Sequence, residues 1–384
     1  ILRNIEFSDP DGSGDDQLVY SVGVINATLN DVVFADAFSL VFNDRDMSLR
    51  TANLEFEDKI DVTSNRVVTF VDEIEIINGA TLSVEDADVK FSSVSGEGTL
   101  LINNAATKVL AGTLSVENIT VDSSVTTSAP NALSGVVITA DVTVNVDQDA
   151  TFRDVDLQSG AVIKVATTKT LTIEGTSTID SSINLIGATS DVIFKGLLSG
   201  NGNVTGTASE TNLVKLESVT LSGVTLGTNT AVTTSNNENA ILNDITTYVD
   251  ITATDGEVIT ISGLNVEDDV TLTGATTTGK VVLNGIVNIA EGKTLIFDGN
   301  VEGDAVVNGV TSSAVTFLDS TVLEGLTFNV TASAGSADLS DVVLNNPVSV
   351  VAGKTLVVDG TSTINGDVDL ESEAAEALVV VLTL

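Results

Sequence analysis

Alternation constrains this chain more than any other feature. Most segments switch residue by residue between an apolar side chain and a small polar one, as in Val142-Thr143-Val144-Asn145-Val146 and Ile259-Thr260-Ile261-Ser262. A period of two sends successive side chains to opposite faces of a β-strand. Val, Ile and Thr are branched at Cβ and favour that conformation. Turn pairs interrupt the alternation at short intervals: Asn78-Gly79, Ser159-Gly160, Glu174-Gly175, Asn284-Gly285, Asp298-Gly299 and Asp359-Gly360. In each, Gly supplies the positive φ that a tight turn needs. Helical patterning is scarce. Many short strands between tight turns fit a sandwich, a barrel or a solenoid.

An internal repeat favours the solenoid. Four segments share one template of strand, turn, Thr-Leu and second strand: Ile74 to Val84, Val162 to Ile173, Val287 to Phe297, and Val348 to Val358. Two of them continue identically, as Gly175-Thr-Ser-Thr-Ile179 and Gly360-Thr-Ser-Thr-Ile364. Looser Asn/Asp-apolar-x-Phe units at Asn4 to Phe7, Asp31 to Phe34, Asn53 to Phe56, Asp88 to Phe91 and Asp191 to Phe194 extend the pattern in degenerate form to the N-terminus. A single unit cannot bury its apolar face, whereas coils of about 20 residues stacked about 4.8 Å apart can. The expected fold is all-β, an elongated right-handed parallel β-helix (β-solenoid), with tandem β-sandwich domains as the alternative. Against the sandwiches, there is no Pro-rich joint and no repeat near the roughly 100 residues of such domains. The expected organisation is a degenerate N-terminal solenoid or capping region with an acidic turn over 1–70, the solenoid over 71–370, and a C-terminal cap or inter-subunit donor strand over 371–384.

Two Gly-punctuated coils, Phe194-Lys-Gly-Leu-Leu-Ser-Gly-Asn-Gly-Asn-Val-Thr-Gly206 and Ser95-Gly-Glu-Gly-Thr-Leu-Leu101, carry a resemblance. They look like the coils of bacterial and archaeal β-solenoid cell-surface proteins, such as autotransporter passenger domains and large adhesins. The style of repeat covers most of residues 70–370. The resemblance implies an exported, cell-surface role. No membrane β-barrel pattern follows the passenger-like region, so a filament subunit or surface-layer protein fits at least as well as an autotransporter. The chain starts at Ile1 with no basic-then-apolar leader and reads as a mature or shortened product.

Composition then removes functional classes. The chain has 384 residues with no Cys and no His. That excludes a disulfide framework, a thiol nucleophile, a Ser-His-Asp triad and imidazole metal ligation. Fifty-four acidic residues against fifteen basic ones give a net charge of −39, which repels nucleic acid and anionic membranes. No apolar run approaches the roughly 18 residues of a membrane-spanning helix, so no membrane insertion is expected.

The sharpest local motif is Asp9-Pro-Asp-Gly-Ser-Gly-Asp-Asp16. Oxygen-bearing Asp9, Asp11, Ser13, Asp15 and Asp16, with Gly12 and Gly14 allowing a tight turn, suit Ca²⁺, which takes six to eight hard oxygens. It is not an EF-hand loop, because position twelve is Tyr20 rather than Glu. The bland reading is an exposed acidic turn. Apart from Ca²⁺ no cofactor is expected.

Carboxylates two apart on a strand share a face, as in Asp44/Asp46, Asp86/Asp88, Asp154/Asp156 and Glu267/Asp269. They read as a solvated face, a cation ladder or a glycosidase pair. β-Helices also carry polysaccharide-degrading enzymes, so a lyase is the third hypothesis. The polygalacturonase-type Gly-His-Gly element cannot exist here. The pectate-lyase-type Arg beside acidic ligands is matched only by Arg153-Asp154 and Asp44-Arg45-Asp46, whose neighbours point to opposite faces. With no Trp and two Tyr, sugar-stacking aromatics are few, and Phe91, Phe194 and Phe297 sit at inward-looking positions. No catalytic residue is assigned. The sequons at Asn26, Asn118, Asn203 and Asn329 are no more than chance gives in a chain this rich in Asn, Ser and Thr.

The last segment ends in a continuous apolar run that includes Leu378, Val379, Val380, Val381, Leu382 and Leu384. A strand apolar on both faces must be buried on both faces. It is either a cap over the last coil or a donor strand for a neighbouring subunit. The expected function is a non-catalytic extracellular structural protein, the subunit of a self-assembling surface filament, sheath or S-layer-like lattice. Its partner is itself, by end-to-end or donor-strand contacts. The alternative is a cell-surface adhesin or glycan-binding rod, whose partners are surface glycans.

Overall fold

The computed structural model describes residues 2–7, 17–20, 26–34, 38–42, 47–56, 59–64, 67–85, 88–103, 108–122, 131–207, 212–235, 238–274, 279–370 and 379–380. Those residues form strands and the turns between them, with no helix. Strand pairs throughout are parallel, each strand lying beside one from the next coil. That topology is a β-solenoid. It excludes the tandem-sandwich alternative, whose sheets are antiparallel. The chain divides into two compact units, Ile1–Val192 and Ile193–Leu384.

In the first unit, the early coils have two strands each. Leu2–Phe7, Asn26–Phe34, Met47–Phe56, Val67–Ile76 and Asp88–Asn103 stack in one ladder. Gln17–Tyr20, Phe38–Phe42, Lys59–Ser64 and Thr81–Glu85 stack in the other. Later coils have three shorter strands, because additional corners divide the coil. Thr143–Val146, Val162–Val165 and Ser182–Leu185 form one such ladder. There Val144 pairs with Ile163 and Ile163 with Ile183, so a coil takes 19 and then 20 residues. This is the length the repeat predicts.

The second unit has longer strands first and the three-strand coil later. Val258–Val266 pairs with Lys280–Ile289. Further on, Ala314–Phe317, Thr331–Ala334, Val348–Val350 and Val368–Leu370 stack in one ladder. Coil length varies there, from 25 residues between Leu272 and Phe297 to 16 between Ala332 and Val348.

The core follows from the alternation. In Thr143–Val146 both Val side chains are fully buried while Thr143 and Asn145 are partly exposed. Each inward Val, Ile or Leu taken from water contributes about 1.5–3 kcal/mol, and stacking repeats the gain coil after coil. Phe91, Phe194 and Phe297 point inward as expected. Phe297, Phe317 and Phe328 form an aromatic cluster in the second unit, with ring centroids 5.3–6.0 Å apart.

The shared template is one corner of the coil. In its four copies Val67–Ile76 turns into Thr81–Glu85, Val162–Val165 into Thr170–Glu174, Lys280–Ile289 into Thr294–Gly303, and Val348–Val350 into Leu356–Asp359. Each corner closes with a backbone hydrogen bond from the fourth residue to the first, at 3.0–3.2 Å. The third residue has a positive φ, as a type II turn requires. It is Gly at 79, 292 and 353, but Thr168 in the remaining copy, at φ 64°.

Candidate functional site

The identical pentapeptides form corners with the same hydrogen bonds in both units. Gly175 and Gly360 have φ of 76° and 62°. A Cβ on either would collide with the carboxylate of an Asp in the preceding coil, Asp154 or Asp341, which are themselves left-handed. That carboxylate accepts the backbone N–H of the residue after the Gly: Thr176 to Asp154 at 2.7 Å, and Thr361 to Asp341 at 2.6 Å. The Ser that follows bridges twice. Ser177 Oγ donates to the Glu174 carbonyl and accepts from the Val155 N–H. Ser362 Oγ donates to the Asp359 carbonyl and accepts from the Val342 N–H. The repeated residues are thus a clamp between consecutive coils.

The same bond recurs with other acids. Asp149, Asp250, Asp269 and Asp319 accept backbone N–H groups of Thr170, Thr271, Thr294 and Ser336 at 2.6–2.8 Å. An N–H at a corner lacks the regular ladder partner, and a carboxylate from the preceding coil replaces it. Asp154 and Asp269, each a member of a sequence-paired set, are therefore engaged in coil stacking. Asp44, Asp46 and Asp86 lie outside the described residues.

The ion pairs also run between coils. Arg153 meets Glu174 at 2.5 Å, Lys280 meets Glu302 at 2.5 Å, and Lys293 meets Asp268 at 2.6 Å. More buried than these is Lys195 with Glu217 at 2.6 Å, where the Glu side chain is 6% exposed and also receives the Ser235 hydroxyl at 2.8 Å. Lys293 holds the Asp268 carboxyl below its ordinary range, and Asp268 raises Lys293. Lys354, then the Ser336 N–H, lowers Asp319; the Thr361 N–H, then its hydroxyl, lowers Asp341.

An asparagine column runs up the second unit. Asn265, Asn288, Asn308 and Asn329 are successive register partners. Amide-to-amide hydrogen bonds connect Asn329 to Asn308 at 2.8 Å, Asn345 to Asn329 at 2.7 Å and Asn365 to Asn345 at 2.7 Å. Such ladders reinforce stacked strands. The sequon amide of Asn329 is thereby both donor and acceptor. Sequence reasoning missed this column, although the Asn residues recur roughly once per coil.

The calcium candidates Asp9, Asp11, Ser13, Asp15 and Asp16 lie outside the described residues. Among the described residues, no three acidic side chains come together as a metal-binding group. No helix among them is long and apolar enough to cross a membrane. Of the C-terminal apolar run, Val379–Val380 is described as a strand beside Val357 and Val358, and Leu378, Val381, Leu382 and Leu384 lie outside. A notch of about 430 Å³ lies in the second unit near Asp298, Asp319 and Lys354. No protein-family model, curated protein or solved structure matches the chain.

Proposed function

We propose that the chain is a non-catalytic extracellular structural protein, a subunit that self-assembles into a surface filament, sheath or S-layer-like lattice. The observation that carries this reading is where the polar chemistry goes. Carboxylates, amides, hydroxyls and ammonium groups of the described residues reach from one coil to the next, to backbone N–H groups or to each other. In these pairs the side-chain chemistry serves the stacking of coils.

In this reading the partner is another copy. A parallel stack has a free ladder edge at each end, and edges pair with edges. Head-to-tail joining is heterologous and yields open polymers. The apolar run from Leu378 to Leu384 supplies the donor strand in this reading, and its described part, Val379–Val380, pairs with Val357 and Val358 of the same chain. Subunits carrying −39 repel one another, so they join through uncharged ends or through bridging cations. Ca²⁺ at Asp9, Asp11, Ser13, Asp15 and Asp16 is the cation the donor set suits.

Negative-stain electron microscopy tests the reading. Purified chain, imaged with and without Ca²⁺ and at low and moderate salt, is expected to show filaments or a lattice. Deleting 378–384 is expected to leave single particles. Single particles of the intact chain under all of these conditions would overturn the proposal.

A further inference from the structure

The notch in the second unit arises from one short corner. Ala314–Phe317 reaches Thr321–Glu324 through Leu318, Asp319 and Ser320. Two coils on, Val348–Val350 reaches Leu356–Asp359 through five residues, 351–355. Between these two, Thr331–Ala334 reaches Ala337–Ser340 through Gly335 and Ser336 alone. The stacked turns therefore lack one member, and a recess of about 430 Å³ opens there. Ligand pockets run from about 300 to 1,000 Å³.

Its upper and lower rims are tied together. Lys354 Nζ reaches past the short coil to Asp319 Oδ2, thirty-five residues away in sequence. Asp319 Oδ1 is fixed in turn by the Ser336 N–H at 2.8 Å. Gly335 keeps the recess open, because a Cβ there would come within 2.6 Å of Asp319 Oδ1.

The remaining lining has unused capacity. Thr316 and Ser333 are register partners on adjacent coils, so their hydroxyls stand about 4.8 Å apart along one outward column. Those two hydroxyls and the Asp298 carboxylate make no hydrogen bond or ion pair among the described residues. Leu318 and Val351 flank them and are 39% and 37% exposed.

This lining selects a ligand class. Two carboxylates face one ammonium that is already paired, which repels anions. Among the described residues no third acidic side chain joins them, which leaves a metal ion under-coordinated. Hydroxyls donate and accept, carboxylates accept, and exposed aliphatic side chains receive C–H surfaces. A polyhydroxylated, uncharged ring satisfies all three. We propose that this notch binds one neutral pyranose unit of a glycan. Asp298 accepts from sugar hydroxyls, Thr316 and Ser333 exchange hydrogen bonds with the ring edge, and Leu318 and Val351 contact its C–H face.

The test is titration calorimetry of the full chain with cellohexaose, maltohexaose, chitohexaose and xylohexaose, using tetragalacturonate as the acidic control. At least one neutral oligosaccharide is expected to bind with Kd below about 1 mM, and tetragalacturonate at least about tenfold more weakly. Asp298→Asn, and Ser333→Leu, which fills the recess from its outward face, are each expected to weaken binding at least about tenfold. Thr260→Leu, an outward change between the apolar register neighbours Ile241 and Val282, is expected to leave binding intact. Circular dichroism of each variant checks that the strands persist. The proposal fails if no neutral oligosaccharide in the set binds, if tetragalacturonate binds as well, or if binding survives Ser333→Leu. None of these outcomes bears on assembly, which microscopy reads separately.

Discussion

Truncating Phe317 to Ala probes the core where the structure gives the most to work from. The side chain is fully buried. Its ring lies 6.0 Å from Phe297 in a tilted contact and 5.3 Å from Phe328 edge-on. A buried Phe→Ala change costs about 3–5 kcal/mol, and the spread depends on how far neighbours collapse into the cavity. Here collapse is resisted. The strand Ala314–Phe317 is held by ladders on both sides, to Thr294–Gly303 and to Thr331–Ala334. Coil spacing is set by backbone hydrogen bonds, so the walls cannot close in. The two ring contacts add about 0.5–1.5 kcal/mol each to what area alone would give. The expected loss is therefore at the upper end, about 4–5 kcal/mol. Equilibrium urea unfolding followed by far-ultraviolet circular dichroism measures it. Thr316→Ala, one residue earlier and facing outward, is the internal control and is expected to stay within about 0.5 kcal/mol. A Phe317→Ala loss below about 2 kcal/mol would refute the argument that the ladders hold the cavity open. Equal losses at both positions would refute the assignment of faces.

Two further predictions concern the corners. Thr168 holds a φ of 64° where the equivalent turns carry Gly. A β-branched residue there costs about 1–2 kcal/mol, and Gly returns about 0.5–1 kcal/mol of that as chain entropy. Thr168→Gly is thus expected to raise stability by about 0.5–1 kcal/mol in a urea melt, and a loss would refute the strain. The second concerns pH. Asp341, Asp319 and Asp268 are lowered from the ordinary 3.8, so their bonds stabilise the fold fully above pH 3.8 and are lost as pH falls through the lowered values. Lys293 is raised from 10.5, so its share is full below pH 10.5 and lost as pH rises through the raised value. Urea midpoints across pH should show an acid limb that Asp341→Asn, which keeps an acceptor but cannot titrate, makes shallower. An unchanged acid limb would mean the Asp341–Thr361 bond carries no linkage.

The sequence exposes some of this design and hides the rest. Inward Phe91, Phe194 and Phe297 are legible because a period of two fixes the face of every residue once one is placed. The corner is legible because it repeats with Thr-Leu at a constant offset from the turn. The asparagine column is hidden because its register partners are not evenly spaced: Asn265 to Asn288 is 23 residues, Asn288 to Asn308 is 20, and Asn308 to Asn329 is 21. No fixed-period scan finds such a column, since loop length at the corners absorbs the difference. The clamps of Asp154 and Asp341 are hidden for a related reason. Each joins residues 22 and 20 positions apart, and only the stack brings them together. The notch is hidden most deeply, since it depends on a corner that is shorter than its neighbours.

The clamps also explain part of the charge. A corner N–H needs an acceptor from the preceding coil. Lys and Arg cannot accept, whereas Asp and Asn can. Repeating the corner along the chain therefore recruits acids at position after position: Asp149, Asp154, Asp250, Asp269, Asp319 and Asp341 all serve it. Asn239 makes the same bond to the Val258 N–H at 2.7 Å, so a neutral amide meets the geometric need. The negative charge itself is then additional to the bond. What it adds is electrostatic repulsion between like-charged molecules. Under the proposed head-to-tail assembly, a net charge of −39 would disfavour lateral contact between subunits and leave their ends as the points of contact.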